Sequence, residues 1–146
     1  NTFTKLAEYL EETKSTARQQ GYTTTLFDRR RHFPGISSNV PFIRAAAERM
    51  AINAPIQGTA ADIVRIAMVR IDQYLKQENL TKDVHMLLQI HDELIFEITA
   101  DKVSAIAPDL QNIMESVLAD CETHGVPLLV DVKAGPNWRE LDKIQT

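Results

Sequence analysis

An α+β fold is predicted: a small antiparallel sheet with one prominent hairpin, covered by helices. Three observations carry that expectation. Apolar residues recur at helical spacing over residues 3–20 and again from residue 59 onward. Two apolar runs, Met86-Leu87-Leu88 and Leu94-Ile95-Phe96, flank the polar stretch Gln89-Ile90-His91-Asp92-Glu93. With 146 residues, 44% of them hydrophobic, the chain is one domain's worth and can build a single core.

The first element spans residues 3–20, where Phe3, Leu6, Tyr9-Leu10 and Ala17 share a face and Gly21 is the stop. Tyr22 to Phe33 is β-prone on both sides of Phe27-Asp28, which predicts a hairpin. Pro34-Gly35 to Asn39 is a loop, and Pro41 suits a first helical turn. The helix it opens, 41–54, is expected to end at or before Pro55. Thr59-Ala60-Ala61-Asp62 has the form of a capping box and starts another helix. Ile63, Ile66-Ala67, Val69, Ile71 and Tyr74-Leu75 give that helix a broad apolar face.

Strands follow at Val84–Ile90 and Glu93–Thr99, around the two-residue loop His91-Asp92. Residues 102–122 read as helix, with Pro108 interrupting it or marking its start. Leu128–Val132 reads as a short buried strand and the tail from Gly135 as irregular.

Composition excludes several classes. Charged residues make up 25%, so disorder is not indicated. The apolar runs fall far short of the ~18 residues that span a bilayer, and no leader-like segment opens the chain, so no membrane partner is expected. The lone Cys121 can form neither an internal disulfide nor a zinc cluster, which fits a reducing compartment. A start at Asn1 suggests a piece of a longer protein.

The net charge of −4 hides an asymmetry. Residues 1–60 hold eight Lys/Arg and five Asp/Glu, net +3, including Arg29-Arg30-Arg31; the remainder is net −7. A basic patch on an acidic chain is compatible with phosphate contacts, and equally with a solvated turn.

Two constellations stand out. His-Asp is a disfavoured hairpin loop, since type I′ turns want Asn-Gly or Asp-Gly. It places a carboxylate in solvent at a rigid tip, which serves either as an ordinary acidic turn or as a metal ligand. Successive strand residues face opposite ways, so Asp92 and Glu93 cannot grip one ion as equals, and Asp92 is the stronger candidate. Arg49, Asn53 and Gln57 form the second constellation, at i, i+4 and i+8 on a segment otherwise rich in alanine. Such a row is either a polar helix face or a set of donors for minor-groove acceptors, which recur at similar positions in every base pair.

Together these segments resemble the family A DNA polymerases, the bacterial DNA polymerase I type. Gln89-Ile90-His91-Asp92-Glu93-Leu94 is similar to that family's third palm motif. Arg44 through Asp62, including Arg49-Met50-Ala51-Ile52-Asn53-Ala54-Pro55-Ile56-Gln57-Gly58-Thr59, is similar to the helix segment before it. Gly21 to Arg31 and Val126 to Trp138 follow the family's order. The likeness covers nearly the whole chain, so residues 1–146 correspond to the C-terminal part of a polymerase domain, palm with adjoining fingers elements and no complete second domain.

The resemblance implies template-directed DNA synthesis by nucleotidyl transfer. Asp92 would ligate Mg²⁺ with Glu93 an accessory catalytic acid beside it, and His91 would touch the primer's 3′ end. Arg49, Asn53 and Gln57 would lie along the minor groove, and Arg30 or Arg31 would contact backbone phosphate. Partners would be primer–template DNA, a dNTP and the remainder of the polymerase chain, in the cytoplasm with the nucleoid. Two Mg²⁺ ions are implied, with the second protein ligand on an upstream segment that this chain lacks. The chain alone is therefore expected not to polymerise.

Departures from the pattern are Asp28 where the family usually has Gly, Ile90 for Val, and Pro108 in a region usually helical. A non-catalytic duplex-binding module, or a phosphohydrolase on another fold, are the competing readings. The latter needs a ligand cluster, but His32, His85 and His124 are scattered and read as surface or packing residues. Tyr22, Phe27, Phe42 and Trp138 read as packing aromatics.

Overall fold

The computed structural model describes residues 3–119, 123 and 125–144; it divides the chain into two compact units, residues 1–62 and 63–146. The fold is α+β. Helices alternate with hairpins, and the described strands form three separate two-stranded antiparallel sheets.

In the first unit, α1 (Thr4–Gln20) ends where the sequence predicts. Gly21 takes the left-handed conformation (φ 78°) and its N–H closes on the Ala17 carbonyl at 2.9 Å. Strands β1 (Tyr22–Thr24) and β2 (Arg30–His32) pair as the expected hairpin, Tyr22 opposite His32 and Thr24 opposite Arg30. The turn between them is built around Thr25, whose hydroxyl accepts from the N–H groups of Phe27 (3.3 Å) and Arg29 (3.2 Å). Asp28 sits there at φ 60°, a conformation Asp tolerates better than most residues.

A 3₁₀ turn over Pro34–Ser37 leads into α2 (Pro41–Gln77), with Pro41 opening the helix as predicted. Ala17, Phe33, Ile36, Ala47, Ala51 and Ala54 make this unit's core. Arg18 ties α1 to α2 through a 2.7 Å ion pair with Glu48, and that hydrogen bond holds the Glu48 carboxyl below the usual range.

The stop expected at Pro55 does not occur: α2 runs for 37 residues with Pro55 inside it. A proline in a helix interior loses one bond to the carbonyl four residues back and costs roughly 3 kcal/mol. Packing outweighs that cost, because buried residues continue on both sides of the proline, from Ala47, Ala51 and Ala54 to Val64, Ala67, Ile71 and Leu75. The capping box is likewise not at a terminus. Thr59 and Asp62 lie mid-helix and spend their side chains on the β1–β2 turn instead: Thr59 Oγ1 accepts from Leu26 N–H at 3.0 Å, and Asp62 pairs with Arg29 at 2.7 Å.

In the second unit the buried line of α2 is Val64, Ala67, Ile71 and Leu75, narrower than the face expected from sequence; Val69 is exposed. Strands β3 (Val84–Ile90) and β4 (Glu93–Ile98) pair from Ile90↔Glu93 to Val84↔Ile98, with an irregularity between Met86 and Leu88. Helix α3 (Val103–Glu115) closes over them. Ile71, Leu75, Val84, Ile106 and Leu110 form the core, with Met86, Leu94, Phe96 and Ile98 packed against it. Pro108 neither starts nor ends α3. It removes a single bond in the second turn, while its neighbours Ile106, Ala107 and Leu110 are buried. The rest of the helix expected over 102–122 is a 3₁₀ turn at Ser116–Leu118; residues 120–122 with Cys121, and His124, lie outside the described residues.

Leu128–Val132 is not a strand. Both backbone groups of Val130 are taken by α3 side chains: Glu115 Oε1 accepts its N–H at 2.9 Å and Gln111 Nε2 donates to its carbonyl at 2.9 Å. Those side chains do what a neighbouring strand would do. The tail, expected to be irregular, forms a hairpin of β5 (Lys133–Asn137) and β6 (Glu140–Lys143). Asn137 Oδ1 turns it by accepting from Arg139 and Glu140 N–H groups at 3.0 and 3.2 Å. Gly135 is required by the close approach, since a Cβ there would meet the Glu140 carbonyl oxygen at 1.7 Å. No helix among the described residues is long and apolar enough to cross a membrane.

Two tests follow from the second core. Ile71→Ala, at a fully buried site, is expected to destabilise by about 2–5 kcal/mol in chemical denaturation. Lys102 donates to Asp83 at 2.6 Å and holds its carboxyl below the usual range. A depressed carboxyl stabilises above its unfolded pKa, and the gain is lost as pH falls through the folded one. Asp83→Asn should therefore lower stability near neutrality and flatten the acid limb of a melting-temperature profile; an unchanged limb would refute the linkage.

Candidate nucleic-acid interface and acidic hairpin tip

The tip of the β3–β4 hairpin is built by register. Ile90↔Glu93 is the last ladder pair, which leaves His91 and Asp92 as the two-residue loop. His91 adopts φ 54° and Asp92 does not share the positive sign, so the loop is not a type I′ turn. A left-handed non-glycine residue costs roughly 1–2 kcal/mol. Part of that is offset by Gln89, whose side-chain amide donates to the His91 carbonyl at 2.6 Å. Strand β4 divides its faces cleanly. Leu94, Phe96 and Ile98 pack on the core, which puts Glu93, Ile95 and Glu97 on the other face.

His91, Asp92 and Glu93 are all exposed, on backbone held by a paired hairpin. Two adjacent carboxylates are hard oxygen ligands, but Mg²⁺ wants near-octahedral coordination. Among the described residues no group of three or more His, Cys, Asp or Glu could hold a metal ion. These residues alone do not fit a two-ion centre; Asp92 can supply one ligand to a site completed from elsewhere.

The donor row lies on α2 in the other unit. Because the helix is unbroken, Arg49, Asn53 and Gln57 keep their i, i+4, i+8 alignment, all three exposed. Eight residues rise about 12 Å, enough to pass three to four base pairs at about 3.4 Å each. Ala51 lies two residues from Arg49 and two from Asn53, roughly 200° around the helix, so the buried alanine stripe backs the donor row.

The arginine triplet is divided in its work. Arg29, its side chain still 45% exposed, is tied to α2: Nε bonds Asp62 Oδ1 at 2.7 Å and Nη2 donates to the Gly58 carbonyl at 3.1 Å. Arg30 lies over the Tyr22 ring at 4.9 Å and Arg31 over Phe33 at 5.6 Å, both in exposed strand positions. The role of Arg29 was missed by sequence reasoning, which assigned Asp62 to a cap. The aromatic residues divide too: Phe42 and Trp138 are 78% and 57% exposed, so neither packs in a core of this chain. The expected site residues thus form two groups, with Arg30, Arg31, Arg49, Asn53 and Gln57 in the first unit and His91, Asp92 and Glu93 in the second.

The sequence profile of DNA polymerase family A matches residues 1–140. The chain belongs to this family. Among curated relatives, it is 45% identical over 138 residues to DNA polymerase I of Rhizobium leguminosarum, covering 94% of this chain and 14% of that protein. It is 42% identical over 137 residues to DNA polymerase I of Bacillus subtilis, covering 94% and 15%. Among solved structures, the POL domain of Pol1 from M. smegmatis in complex with DNA primer-template and dNTP superimposes with a TM-score of 0.72. That match is 40% identical and covers 76% of this chain and 19% of the other. The chain thus spans only about one seventh of the length of these curated family A relatives.

His91 gives the test specific to the tip. Glycine at φ 54° removes the left-handed cost but adds backbone entropy of about 0.5–1 kcal/mol, so His91→Gly should leave stability unchanged or slightly raised. A loss above about 1 kcal/mol in thermal melts would mean that the imidazole is a structural group.

Proposed function

We propose that this chain is part of a template-directed DNA polymerase that transfers a nucleotidyl group from a dNTP to a primer 3′-OH. The observation that carries this reading is the exposed Asp92 at a strained two-residue tip, in a chain that belongs to DNA polymerase family A. It is supported by the likeness to a polymerase domain in complex with DNA primer-template and dNTP.

In this reading the new bond joins the primer O3′ to the α-phosphorus, and the bond from that phosphorus to the pyrophosphate oxygen breaks. Asp92 offers its carboxylate as one cation ligand, with Glu93 beside it. His91, raised on the turn, contacts the primer terminus. Arg49, Asn53 and Gln57 donate to minor-groove acceptors of the newly formed pairs, which tests pair shape without reading sequence. Arg30 and Arg31 neutralise backbone phosphates. Asp92 would hold Mg²⁺ together with a second protein ligand from the remainder of the polymerase chain, and two ions bound there would supply Lewis-acid chemistry to the attacking hydroxyl and the leaving pyrophosphate. The reaction belongs to the cytoplasm, on nucleoid DNA.

The test is Mg²⁺-dependent primer extension by the full-length protein. Asp92→Ala is expected to lower the rate by several orders of magnitude while primer–template binding persists; equal activity would make the hairpin structural only. The 146-residue chain alone is expected to extend no primer, and robust extension would overturn the assignment of the second ligand to another segment.

A further inference from the structure

The β1–β2 turn is seated on α2 by a set of contacts that the proposed chemistry does not use. Leu26 N–H donates to Thr59 Oγ1 at 3.0 Å, Arg29 Nε to Asp62 Oδ1 at 2.7 Å, and Arg29 Nη2 to the Gly58 carbonyl at 3.1 Å. Gly58 has no Cβ to spare: one built there would lie 2.6 Å from Thr25 Cγ2, so the turn rests directly on the helix backbone. Asp62 is nearly buried, with its side chain 9% exposed. Gln57, at the end of the donor row, is the immediate neighbour of Gly58. Arg30 and Arg31 follow Arg29 without an intervening residue.

From this geometry we infer that Arg29 is a positioning residue for DNA binding. Clamped to Asp62 and Gly58, it fixes strand β2 with Arg30 and Arg31 against the helix that carries Arg49, Asn53 and Gln57. The backbone contacts and the minor-groove donors are thereby held as one surface. In this role Arg29 acts through its neighbours, with Nε held by a near-buried carboxylate and Nη2 by a helix carbonyl. The inference rests on the DNA-facing reading of the previous subsection.

Charge supplies a test in which the two possible roles have opposite signs. If Arg29 met phosphate directly, removing the competing carboxylate by Asp62→Asn would free it and tighten binding. If Arg29 positions its neighbours, the same isosteric change loosens the clamp and weakens binding. In the full-length protein, Arg29→Gln and Asp62→Asn are each expected to raise the primer–template Kd about tenfold. The losses in the double variant should be less than additive, because both changes break the Arg29–Asp62 pair. Both should also flatten the slope of log K against log salt by roughly one to two, the share of one or two phosphate contacts, which a mere loss of stability would not do.

Tighter or unchanged binding by Asp62→Asn, multiplied losses in the double variant, or an unchanged salt slope would overturn the inference. Gln57→Ala and Arg30→Ala measure the underlying reading separately. If those two leave affinity intact, the DNA-facing surface itself is wrong and the positioning role falls with it. If they weaken binding while the clamp variants do not, only the positioning role fails.

Discussion

Everything placed on the first unit depends on α2 keeping its register through Pro55. A kink or stop there would turn Gln57 away from Arg49 and Asn53, since each residue of lost helix rotates the remainder by about 100°. It would also move Gly58, Thr59 and Asp62 off the β1–β2 turn that they hold. The helix survives because its stability comes from the buried face rather than from propensity. Ala47, Ala51 and Ala54 are closed in by Ala17, Phe33 and Ile36, and one missing backbone bond does not undo that packing. Small residues serve twice here: they make the core thin, and at Gly58 they let a turn approach the helix backbone.

The hairpin tip follows a different rule. There the local cost is retained rather than packed away. His91 is held left-handed, where glycine or asparagine would sit more easily, and a side-chain amide from Gln89 takes its carbonyl. The core side of β4 is fully committed to Leu94, Phe96 and Ile98, so the hairpin cannot slip by one residue without burying Glu93 and Glu97. Register, rather than any contact of its own side chain, keeps Asp92 at the tip.

Those mechanisms explain what was legible in the sequence. The β3–β4 hairpin could be read because alternation and the two-residue loop are local signals, and the end of α1 because its glycine stop is, whereas Phe3, Leu6 and Tyr9 of its expected apolar face are exposed and only Ala17 is buried. Pro55 and Pro108 misled because a proline states a local cost, whereas its acceptance is decided by residues distant in sequence. Thr59 and Asp62 misled for the same reason: a capping box names atoms able to bond a free N–H, and the β1–β2 turn supplied Leu26 N–H and Arg29 in place of a helix end. Val130 shows the converse, an apolar alternation whose backbone partners are side chains of α3. The candidate site residues were legible as types and spacings. Their grouping into two units, and the separation of Arg29 from its neighbours, depended on tertiary contacts.

The charge asymmetry bears on how the two groups divide the work. The boundary at residue 62 falls almost where the net charge changes sign, so the first unit is basic and the second acidic. In the proposed reading a phosphate backbone would be drawn to the first by its own field. The second repels it, and a tip carrying Asp92 and Glu93 repels it most closely. A polyphosphate can be accepted beside that tip only with cations between them or with basic groups from another part of the protein. An acidic hairpin that is paired, exposed and short of ligands would therefore suit the proposed chemistry only with its charge neutralised at the moment of binding. The charge balance thus supports the cation dependence proposed for Asp92 as much as the geometry of the turn does.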